Sequence, residues 1–61
     1  MKNVKILVKG AQEGQHPEVT NVEVRVNGKL TDRYITRSPY GLIAQLMDEE
    51  FEGDDVEVLG L

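Results

Sequence analysis

Apolar and polar residues alternate in two stretches of the first half of the chain and give way later to a wider period. In 3-NVKILVK-9, Val4, Ile6 and Val8 alternate with Lys5, Leu7 and Lys9, the period-two signature of a half-buried strand. Residues 19–26, VTNVEVRV, repeat the pattern with Val22, Val24 and Val26 on one face. Asn27-Gly28 follows, a strong hairpin signal because both residue types accept positive φ. The returning strand is 30-LTDRYITR-37.

Two registers compete for this hairpin. A two-residue turn sets Val26 opposite Lys29 and Val22 opposite Arg33, which mixes apolar and charged residues on one face. A three-residue loop sets Val26 opposite Leu30, Val22 opposite Tyr34 and Glu23 opposite Arg33. The second is preferred, because the buried face dictates register and opposite charges across strands attract.

Ser38-Pro39 marks a helix start, with Ser as the cap and Pro at a position whose N–H has no partner. Leu42, Ile43, Leu46, Met47 and Phe51 then form one apolar stripe on a helix of about three turns. Gly53 supplies the stop. Residues 55–61, DVEVLGL, read as a closing strand, and residues 10–18 as a loop longer than a hairpin turn needs. The expectation is an α+β fold, β-β-β-α-β, with a mainly antiparallel four-stranded sheet and one helix packed on one face. The last strand should run parallel to the first and lie beside it, reached by a right-handed crossover.

Sixty-one residues allow one domain with a small core, and self-association into a homodimer would supply extra stability. The chain has no cysteine and a single His16, which removes disulfides and thiolate metal sites. No cofactor and no metal are expected. No apolar run approaches the ~18 residues that cross a bilayer. Lys5 and Lys9 interrupt the N-terminal apolar run, against a secretory signal. A cytoplasmic, non-membrane protein is the expectation.

Charge changes the picture most. Residues 1–37 hold seven bases and four acids, whereas residues 38–61 hold seven acids and no base. All seven lie in 48-DEEFEGDDVE-57. The net charge of −4 therefore conceals a dipolar chain, a pointer to a charged partner. Carboxylates at a helix C-terminus oppose the helix dipole, so folding stability does not account for them. Asp48, Glu49, Glu52, Asp54 and Asp55 are the candidate partner-binding residues, facing a basic protein surface. A solvated rim is the plain alternative. A cation site is weaker, because the run lacks the alternating ligand spacing of calcium loops.

A second candidate is 33-RYITRSPYG-41, in which Arg33, Arg37, Ser38 and Tyr40 would bind a phosphorylated ligand or nucleotide near the helix start. No Gly-rich phosphate loop accompanies them. Catalysis has the least support, since a chain with one helix offers little concavity to exclude water. The preferred function is a small acidic, non-catalytic interaction protein whose carboxylates imitate a phosphate backbone and occlude a basic, nucleic-acid-binding surface of a partner protein. Direct nucleic-acid binding is not expected. In character, though not in any motif, such a chain resembles the inhibitors that phages and mobile elements encode.

Overall fold

The computed structural model describes residues 1–60. Strands β1 (Asn3–Lys9), β2 (Thr20–Val26) and β3 (Lys29–Thr36) precede helix α1 (Pro39–Gln45). A π-helical turn, Leu46–Glu50, extends α1 without a break, and β4 (Asp55–Gly60) follows. Leu61, the last residue of the expected closing strand, lies outside the described residues. The sheet order is β3-β2-β1-β4. β1 pairs antiparallel with β2, and β2 with β3, but β1 and β4 run parallel. The sheet is thus mixed, not purely antiparallel. Its parallel pair follows from the helix, which carries the chain back along the sheet before β4 begins.

The hairpin between β2 and β3 takes its turn from one of the two competing registers and its far pairing from the other. Asn27 and Gly28 adopt φ of 53° and 84°, and Val26 faces Lys29, so the turn has two residues and not the expected three-residue loop. A β-bulge between Val24 and Arg25 then shifts the pairing, so that Glu23 meets Arg33 and Val22 meets Tyr34. Thr31 is the residue left over, and its hydroxyl donates to the Val24 carbonyl at 3.2 Å. One extra residue reconciles a tight turn with a matched buried face.

Val4, Ile6, Val8, Val22 and Val24 form the sheet side of the core, and Ile43, Leu46 and Phe51 close it from the helix side. Leu42, Tyr34, Val26 and Val56 pack at its margin. Met47, expected in the stripe, is 42% exposed. Residues five apart on an α-helix sit about 140° apart around its axis. The π turn closes over five residues and so brings Phe51 toward the side of Leu46, leaving Met47 outside.

The loop between β1 and β2 is tied down by paired amides. Gln15 donates to Asn21 Oδ1 at 3.1 Å, and buried Asn21 donates in return to Gln15 Oε1 at 2.7 Å and to the Gly10 carbonyl at 3.0 Å. These bonds satisfy the polar atoms of an amide that is 2% exposed.

Candidate functional site

The helix leaves the core through the acidic segment. Asp48, Glu49 and Glu50 occupy the π turn, Glu52 and Asp54 flank Gly53, and Asp55 opens β4. Asp48, Glu49, Glu50, Glu52, Asp55 and Glu57 are all exposed. Among the described residues no ion pair engages any carboxylate from Asp48 to Glu57, because every observed pair ends on Glu23 or Glu18. Glu49 accepts only the neutral amide of Gln45, at 3.2 Å.

Two members of the segment also serve the fold. Asp54 is half-buried, and its Oδ1 accepts the Lys2 N–H at 2.9 Å while the Asp55 N–H donates to the Lys2 carbonyl at 3.0 Å. This clamp fixes where β4 starts against β1. Of the five expected partner-binding residues, Asp48, Glu49, Glu52 and Asp55 present their side chains to solvent, and Asp54 is partly occupied. Glu50 belongs to the same surface. Burial raises the Tyr34 phenol above the usual tyrosine range, and the charges of Asp32 and Glu50 raise it further. Glu50 is exposed on the same turn as Asp48 and Glu49, which widens the acidic rim beyond the five residues that the sequence singled out.

The bases have a different fate. Arg33 points to the sheet face opposite the helix, where it donates to Glu23 Oε2 at 3.2 Å. Lys9 and Arg25 lie 3.3 Å and 3.7 Å from Glu23 Oε1. Glu23, whose side chain is 5% exposed, is the hub of three cations. Contact with the Lys9 ammonium holds its carboxyl below the usual glutamate range; burial opposes this, and the charges of Lys9 and Arg33 and the Arg33 hydrogen bond reinforce it. Oε1 is held by ion pairs without a well-directed hydrogen bond, and the buried Arg25 Nε has no hydrogen-bond partner among the described residues. The sequence paired Glu23 only with Arg33. Arg25, two residues along the same strand face, was legible as a neighbour of Glu23, whereas Lys9 reaches that carboxylate only through the β1–β2 register.

The second candidate set does not converge. Arg33 is spent on Glu23 across the sheet from the helix, and Arg37 pairs with Glu18 of the β1–β2 loop at 3.7 Å. Ser38 makes no side-chain cap to α1, contrary to the expected N-cap. Its N–H donates instead to Thr36 Oγ1 at 3.0 Å, and its carbonyl accepts the Leu42 N–H. Tyr40 is 69% exposed. The described surface holds no pocket, and no group of three or more His, Asp or Glu side chains is placed to share a metal ion among the described residues. No helix among the described residues is long and apolar enough to cross a membrane.

Comparison with protein-family models, with curated proteins and with solved structures gave no match.

Proposed function

We propose that this chain is a small acidic interaction protein that docks the rim Asp48, Glu49, Glu50, Glu52 and Asp55 onto a basic surface of a partner protein, with Asp54 at its base. One observation carries the reading. Among the described residues the carboxylates of the helix exit have no cationic partner, although the chain contains seven bases. Three of those bases gather on Glu23 and a fourth on Glu18, so the molecule separates its charges instead of neutralising them locally.

The rim stands where the helix dipole is already negative, and its own repulsion costs stability. A partner rich in Lys and Arg relieves that cost on binding. Such surfaces are those that proteins present to nucleic-acid phosphates, and a row of carboxylates competes for them. Complementary fields of this kind act chiefly on the association rate. Arg33 and Arg37 are paired to Glu23 and Glu18 and Tyr40 is exposed, so Arg33, Arg37, Ser38 and Tyr40 do not converge on one phosphorylated ligand, which favours a flat protein contact.

The test uses the protein and its triple variant Asp48→Asn, Glu49→Gln, Glu52→Gln as baits in cell extract, at low and high salt. Proteins with basic surfaces captured by the parent at low salt should be lost with the variant and lost at high salt. Capture of the same proteins by both baits would leave the carboxylates as a solvated rim only.

A further inference from the structure

We infer that β4 is a docking edge for a second copy of this chain, which adds its own β4 antiparallel about Val58 to make one eight-stranded sheet. Among the described residues β4 pairs with β1 on one side and with nothing on the other. Which of its backbone groups are free follows from two hydrogen bonds. The Asp55 N–H donates to the Lys2 carbonyl, so Asp55 faces β1. The Asn27 N–H donates to the Asn3 carbonyl, so Asn3 faces β2 and the next residue, Val4, faces β4. Alternation along each strand then directs Glu57 and Leu59 to β1, and the N–H and C=O groups of Val56 and Val58 outward.

An outward residue placed opposite its own copy exchanges two backbone hydrogen bonds across a two-fold axis. Centring that axis on Val58 sets Val56 opposite Gly60 of the second copy and Glu57 opposite Leu59. No carboxylate then faces another. Centring it on Val56 would set Asp55 against Glu57, and centring it on Glu57 would set that residue against itself. Both are disfavoured by like charge across strands. Side chains agree with the Val58 register. Val58 on the helix side of the sheet and Leu59 on the other side are 45% and 38% exposed, and an added strand covers both. The antiparallel direction also sends the two acidic helix exits, anchored at the start of β4 through Asp54 and Asp55, to opposite ends of the shared ladder.

The other edge is defended. β3 carries Lys29, Asp32 and Arg33 along its length, and the bulge at Thr31 distorts its course, two devices that discourage edge pairing. β4 carries neither a base nor a bulge.

The two copies each carry net negative charge, so this association should strengthen as salt screens their repulsion. That is the reverse of docking to a basic partner, so failure of the proposed function and failure of the pairing are read separately. Amide exchange and light scattering on the full chain, from micromolar to millimolar concentration, provide the first readout. At low concentration the Val56 and Val58 amides should exchange freely while Glu57 and Leu59 are protected by β1. At high concentration exchange at Val56 and Val58 should slow by about tenfold or more as the mass doubles. The second readout is crosslinking in a chain without cysteine. Opposed residues of a hydrogen-bonded pair lie about 5.5 Å apart, within disulfide reach, so Val58→Cys should oxidise to a dimer far more readily than Leu59→Cys. Val58→Lys should remain monomeric. A monomeric mass at millimolar concentration with unchanged exchange at Val56 and Val58, equal crosslinking of the two cysteine variants, or a folded Val58→Lys variant that still dimerises would each overturn the proposal.

Discussion

The Phe51 N–H donates to the Leu46 carbonyl at 2.9 Å, a bond that spans five residues and closes the helix with a π turn. Both side chains are buried, at 4% and 6% exposure, although five residues of α-helix would set them on different faces. The wider turn therefore decides which apolar residue seals the core at its lower end. It also delivers Asp48, Glu49 and Glu50 to the surface on the same turn.

Phe51→Ala should cost about 3–5 kcal/mol, which would unfold much of a domain of this size. Met47→Ala, on the exposed side of the same turn, should stay within about 0.5 kcal/mol. Urea denaturation of both variants checks the assignment. Comparable losses would mean that the turn does not separate the two residues.

Glu23 gives a pH dependence of definite sign. Its folded pKa lies below the unfolded value of about 4.5, so it contributes stability at neutral pH. That contribution declines as pH falls below 4.5 and through the folded pKa. Melting temperatures recorded from neutral to acid pH should therefore fall more steeply for the parent than for Glu23→Gln. Parallel curves would assign the acid sensitivity to other carboxylates.

Neutralising the rim should stabilise the fold. Asp48→Asn, Glu49→Gln and Glu52→Gln should each raise stability by a few tenths of a kcal/mol, through relief of the dipole and of mutual repulsion. Asp54→Ala should act in the opposite sense and cost about 1 kcal/mol, because it frees the Lys2 N–H. Thermal melts at low salt distinguish the two classes, and a loss in all four variants would place the rim in the service of the fold.

Gly60 holds the close of the parallel pair. It adopts φ of 112° against Val8, and a Cβ there would stand 2.2 Å from the Val8 carbonyl oxygen. Gly60→Ala should cost about 1–3 kcal/mol through backbone strain and the forced shift of β4. Gly10→Ala, with no atom within 4 Å, should be neutral or gain up to about 1 kcal/mol. Equal stability of the two variants would show that β4 gives way without cost.

The sequence by itself determined the elements and the separation of charge. Alternation in residues 3–9 and 19–26, the Asn27-Gly28 turn, and the stripe through Ile43, Leu46 and Phe51 are local signals, and local geometry honours them. The acidic rim was equally legible, since with no base after Arg37 nothing near in sequence could mask it. What the tertiary structure decided are relations between distant residues. The bulge at Thr31 arises because a tight turn and a buried face demand registers one residue apart. Met47 leaves the core because the π turn rotates the chain, a change set by packing against the sheet and invisible in apolar spacing. Glu23 collects Lys9 and Arg33, beside its own strand neighbour Arg25, because three strands meet at one point of the open face. That meeting also disperses the arginine set expected to bind phosphate, since strand pairing drew Arg33 to a carboxylate on the far side of the sheet.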